Sequence, residues 1–176
     1  MKAIGLCSYF SKQGDWAFEL AFRIARNKNL QLNIFHFLES PFRFRREYVY
    51  KDESKEELVH VAPELIVKKE RELREYYEDK LGDFVDVGFR ICERNEIFEV
   101  KKCLFRKEYD VLIMGYHDIG AHFGGEPVEK FANEIKVATI LVGPQKPDSY
   151  YLNDRAVPLA DELGLPKGSW KRITDS

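Results

Sequence analysis

Cysteine is scarce in this chain: Cys7, Cys92 and Cys103 are an odd number and no two stand in CxxC spacing. That usage argues against a disulfide framework and favours a cytoplasmic location. Net charge is low as well, at −2, so there is no general attraction to nucleic acid or to an anionic membrane. No apolar run approaches the length of a membrane span, and Met1 to Leu6 leads straight into strand-like sequence with no separate signal region. The chain also lacks a Walker loop, a nucleophile elbow, an HExxH pair and a paired Cys-His arrangement. Carboxylates are plentiful, but nearly all fall on helix faces expected to be solvated. No catalytic residues are expected, and the protein does not read as an enzyme.

What remains is enough to fold. The 176 residues fit one domain plus an extension, with 44% hydrophobic and 14% aromatic residues for a core and 33% charged residues for solubility. Lys2 to Cys7 reads as a buried strand. A helix follows from near Gly14 or Asp15, with Ala17, Leu20, Ala21, Ile24 and Ala25 on one face. Leu30 to Leu38 forms the second strand, and its His36 reads as a packed core residue rather than a metal ligand. Pro63 sits in the first turn of a long helix to Leu81, which Gly82 stops. Phe84 to Cys92 is the third strand. The next helix turns Ile97, Val100, Leu104 and Phe105 inward, with Cys103 beside them as a packed thiol.

The stretch from Asp110 to Pro144 organises the rest. Val111 to Met114 reads as a strand buried on both faces, and a loop with Gly115, Gly120, Gly124 and Gly125 follows. Glu126 and Pro127 then start a helix with Val128, Phe131, Ala132 and Ile135 on one face, and Val137 to Val142 is a second buried strand. Strand, glycine-rich loop, helix and strand make a crossover unit, and its loop lies where open α/β sheets bind ligands.

These residues resemble the carboxyl-terminal half of a universal stress protein domain, the adenine-nucleotide α-hydrolase-like α/β fold. AFELAFRIA likewise resembles that family's first helix, and the resemblance spans about residues 2 to 143. Helix–strand alternation predicts five parallel strands. The resemblance implies an open sheet in the order 3-2-1-4-5 with helices on both faces, followed by a C-terminal extension. It also implies a nucleotide site. The family's loop runs Gly, two residues, Gly, nine residues, Gly, then Ser or Thr, and an Asp ending the first strand contacts the adenosine. Mapped onto this chain, the cofactor-binding positions are Ser8, Tyr9, Gly115, Asp118, Gly125 and Glu126. Gly115 and Gly125 match glycines. Ser8 and Tyr9 supply no carboxylate, Asp118 replaces a glycine, and Glu126 replaces the hydroxyl.

A phosphate at a helix start is held by unpaired amides and the positive end of the dipole. Glu126 can accept those amides itself, at about 0.3–1 kcal/mol to the helix, and would repel phosphate. Pro127 removes one amide. The expectation is ATP binding weakened or lost and no cofactor, with ATP or AMP as the alternative. His117, Asp118, His122 and Glu126 share the loop, but spacing in a loop does not show converging ligands, and no metal is expected.

Two segments fall outside this pattern. Residues 40–62 form an insertion, either a lid or a partner-binding loop. Within it, Phe42 to Glu47 (FRFRRE) reads as a short strand with one solvated face, the alternative being an anion- or partner-binding patch. Residues 144–176 form a proline-rich arm beside the 1–143 domain, either disordered or laid across a surface. Its large apolar groups, Tyr150, Tyr151, Leu152, Leu159, Leu163, Leu165 and Trp170, favour packing on protein. Functionally, the chain reads as a regulatory or accessory protein that dimerises through the apolar edge at Val137 to Val142. Protein partners are expected at the insertion and the arm. A scaffold subunit of a larger complex is the remaining alternative.

Overall fold

The computed structural model describes residues 1–43, 63–104 and 108–174. β1 (Ala3–Cys7) is buried throughout and leads into α1 (Lys12–Lys28). The helix starts before the expected Gly14 because Ser11 caps it, its hydroxyl accepting the Gly14 amide at 2.9 Å. It ends where Asn29 turns left-handed, φ 55, and returns its amide to Ala25 and Arg26. β2 (Gln31–Phe37) and a two-residue β3 (Phe42–Arg43) follow. β3 is the start of FRFRRE; the rest of that motif and of the insertion lies outside the described residues. α2 (Pro63–Leu81) begins at its proline and buries Leu73, Tyr77 and Leu81. β4 (Val87–Cys92) and α3 (Ile97–Leu104) come next, with Val100 and Leu104 buried; Phe105 lies outside the described residues. Then come β5 (Val111–Gly115), the short β6 (His122–Phe123) and β7 (Glu126–Pro127), α4 (Val128–Glu134) and β8 (Ala138–Val142). β9 (Tyr150–Leu152) and β10 (Trp170–Arg172) close the chain.

Five parallel strands stand side by side as β4-β2-β1-β5-β8, which is the expected 3-2-1-4-5. Alternate side chains of these strands feed two cores. Ile4, Leu6, Leu32, Ile34 and Ile113 pack against α1 and α2 on one face. Cys7, Phe35, Leu112 and Met114 pack against α3 and α4 on the other. Such double burial is why the strands read as continuous apolar runs rather than alternating ones. A separate small sheet, β3-β6-β7, carries Phe42 and Phe123.

Two expectations change. First, the main sheet has seven strands, because the C-terminal segment adds β9 antiparallel to β8 and β10 parallel to β9. The edge at Val137 to Val142, expected to pair with a second chain, is therefore taken by this one. Leu152 and Ala156 are fully buried there, and Leu163 and Leu165 nearly so, in the α1-side core. At about 1.5–3 kcal/mol per large side chain, this burial offsets the cost of ordering the segment. Second, Cys92 and Cys103 are disulfide-bonded, with Cα atoms 6.3 Å apart. They stand 11 positions apart in sequence, but α3 folds back beside the end of β4 and brings the two sulfurs together. Cys103 is thus no packed thiol, and the cysteine argument for a cytoplasmic location does not hold. Cys7 alone is free, and burial drives its thiol pKa far above the usual range. No helix among the described residues is long and apolar enough to cross a membrane.

Candidate functional site

The strand order reverses between β1 and β5, so their carboxyl ends define the crevice where α/β sheets take ligands. The two loops leaving these strands meet backbone to backbone. A Cβ on Gly115 would lie 2.9 Å from the Gln13 carbonyl carbon across them, and within the first a Cβ on Gly14 would lie 1.9 Å from the Tyr9 carbonyl oxygen. Glycine is needed at both places by close approach alone.

Aromatic side chains pack over this junction. Tyr9 lies 4.9 Å from Phe42 and 5.5 Å from His117, between ring centroids. Phe42 in turn packs on His117 and Phe123, and Phe123 on Phe131 of α4. His117 is 1% exposed and its Nε2 is 2.6 Å from Ser11 Oγ, the same hydroxyl that caps α1. Burial pulls the His117 pKa down to about 3, so the ring is neutral near pH 7.

Of the six mapped positions, Ser8 and Gly115 directly follow the paired Cys7 and Met114 at the ends of β1 and β5, and the side chains have different surroundings. Ser8 turns to the α2 side, where its hydroxyl is 2.7 Å from Tyr77 Oη and 3.3 Å from His36 Nδ1. His36 is a core residue as expected, stacked on Phe10. Tyr9 belongs to the opposite core. Gly115 ends β5, half-buried Asp118 receives the Ala121 amide on its carbonyl, and Gly125 turns with φ 91. Glu126 does not cap α4. Residues 126 and 127 are extended in β7, opposite Phe123 and His122, and the helix starts after Pro127 with no side-chain cap. The Glu126 carboxylate pairs instead with Lys101 at 3.6 Å and Lys130 at 3.8 Å.

The acidic side chain that this loop closes over is Glu129 of α4, which the sequence reading passed over. It is 2% exposed, and its Oε2 accepts the Gly120 amide at 2.8 Å and the Tyr116 hydroxyl. Burial, then the bond to Glu129, raises the Tyr116 pKa far above its ordinary value, so the phenol keeps its proton and donates. Tyr116 also meets the C-terminal segment edge-on, its ring 5.1 Å from Tyr151. In the sequence, Glu129 had only its place in the first turn of α4 to mark it, where acidic residues are common. His117, Asp118, His122 and Glu126 do not assemble either: among the described residues no three His, Cys, Asp or Glu side chains are gathered to hold a metal ion.

No family model and no curated protein matches the chain in sequence. Solved structures do match in fold. A universal stress protein in complex with cAMP aligns with a TM-score of 0.53 at 17% identity, over 82% of this chain and 98% of its own. A protein of the universal stress protein family from Burkholderia pseudomallei aligns with a TM-score of 0.53 at 12% identity, over 81% and 96%. The fold is that of the universal stress proteins. UspA from Lactobacillus plantarum aligns over 81% of this chain and 97% of its own, with a TM-score of 0.50 at 11% identity. Such coverage leaves about a fifth of this chain without a counterpart in these universal-stress structures.

Proposed function

We propose that this chain is a regulatory or accessory protein on the universal-stress fold, one that acts through protein partners and in which ATP binding is weakened or lost. It is a binding module rather than an enzyme. The observation that carries this reading is Glu129, seated on the Gly120 amide and the Tyr116 hydroxyl. By the resemblance, the loop after β5 is where nucleotide phosphates would be received. A buried carboxyl group there uses donors that a phosphate would need. The Tyr9, Phe42 and His117 rings packed over the crevice support the same reading. For partners, Phe98 on α3 and Ile119 in the loop after β5 are large apolar side chains, each 73% exposed. Both follow the carboxyl ends of sheet strands, the end from which the 40–62 insertion also departs.

Titration calorimetry with Mg-ATP, AMP and cAMP tests it. The expected result is no binding at micromolar ligand. The second reading, an adenine-nucleotide-binding protein with an altered loop, draws on the cAMP complex of the universal stress protein matched above. A low-micromolar dissociation constant for any of the three would establish that second reading instead.

A further inference from the structure

The edge of β8 is closed from within its own chain, and the closure is fastened by one amide. Asn153 Nδ2 donates to the Ala132 carbonyl at 2.8 Å and to the Val137 carbonyl at 2.9 Å. Its Oδ1 accepts the Thr139 amide at 2.9 Å and the Ala156 amide at 3.0 Å. The side chain thereby uses both donors and both lone pairs, and it is 3% exposed. Ala132 lies in α4 and Val137 just precedes β8, so this residue ties the C-terminal segment to the helix and the strand together. The backbone adds an Asn153 amide bond to the Thr139 carbonyl at 3.1 Å, and a Gly143 amide bond to the Ser149 carbonyl at 2.9 Å. Leu141 faces Tyr151 between these two bonds.

β8 is buried at every residue, and this segment lies along its outer edge. The new edge is different in character. β10 has three residues, and Lys171 and Arg172 are exposed on it. A short edge with charged side chains resists further pairing, whereas a bare apolar edge invites it. Direction points to what would take the place of β9. It runs antiparallel to β8, and a two-fold-related copy of β8 would also run antiparallel to it.

We propose that residues 145–173 are a built-in substitute for a second subunit. They keep the chain a single copy at the β8 edge, and displacing them opens that edge to a second copy of the same chain. The segment is thus an autoinhibitory contact against self-association as well as part of the fold.

The test uses the full chain. Light scattering across a concentration series is expected to give 20.7 kDa, the mass of one chain. Asn153→Ala removes four hydrogen bonds at once. It is expected to speed amide exchange over 150–152 by about tenfold or more, and to give a concentration-dependent doubling of mass. Should Asn153→Ala not fold, Tyr151→Pro withdraws one ladder donor opposite Leu141 and is expected to act in the same direction. A wild-type protein that is dimeric and has rapidly exchanging 150–152 amides would overturn the proposal. So would a folded variant whose 150–152 amides exchange fast while its mass stays at 20.7 kDa.

Discussion

Glu129 holds Gly120: the carboxylate of the first turn of α4 accepts the amide of the loop after β5 at 2.8 Å. The same oxygen takes the Tyr116 hydroxyl, so one buried side chain ties α4 to the carboxyl end of β5. The loop is thus shaped by an internal carboxyl group.

Replacing that side chain should be costly. Glu129→Ala leaves a buried phenol and an amide without their acceptor, at about 1–3 kcal/mol for each unsatisfied group. Glu129→Gln keeps one acceptor oxygen and should cost less. Urea denaturation measures both. An alanine variant as stable as the wild type would remove Glu129 from the account of this loop.

His117 should make the protein acid-sensitive. Its pKa in the fold is about 3, below the unfolded value of about 6.5. The unfolded chain therefore binds the proton more readily. The stability that His117 contributes is complete above pH 6.5 and is lost as pH falls from there toward 3. His117→Gln removes this contribution, and its loss of stability between pH 7 and pH 4 should be smaller than that of the wild type by a few kcal/mol at most. Parallel pH profiles for the two proteins would contradict the burial of a neutral ring.

Reduction should loosen α3. The disulfide closes a loop between residues 92 and 103, for which chain entropy gives about 3 kcal/mol. A reducing agent should lower the melting temperature and speed amide exchange over 97–104. Cys103→Ser should show the same lower value and no further response to reductant. Equal melting temperatures with and without reductant would mean that the bond contributes nothing to the fold.

Gly14 should not tolerate a methyl group. With its Cβ 1.9 Å from the Tyr9 carbonyl, alanine forces the α1 start away from the β1 loop. The cost expected is about 3 kcal/mol or loss of folding. A Gly14→Ala protein with the wild-type urea midpoint would show that the α1 start has room to move away from Tyr9.

Much of the fold was legible in the residues alone. Val111 to Met114 and the run before Gly143 show no polar alternation, which is the pattern of strands covered on both faces. Pro63 marks the start of α2, and the helical spacing of Leu73, Tyr77 and Leu81 marks its inner face. These are local signals: period, cap and breaker are written within a few residues, and the core positions follow from them.

The tertiary structure decided whatever depends on which distant groups meet. Glu126 and Glu129 are both acids near the start of one helix. Pairing of residue 126 with Phe123 pulls the first to Lys101, while the loop from Tyr116 to Gly120 closes over the second. Cys92 and Cys103 show no motif, yet a short helix folding back beside a strand joins them. The apolar groups of residues 145–173 announced that they would be buried, and nothing in their order named β8 as the surface. Burial is a property of one residue's chemistry and can be read in one dimension. A hydrogen bond, a disulfide or a strand edge needs two partners, and where the second lies is set only when the chain has folded.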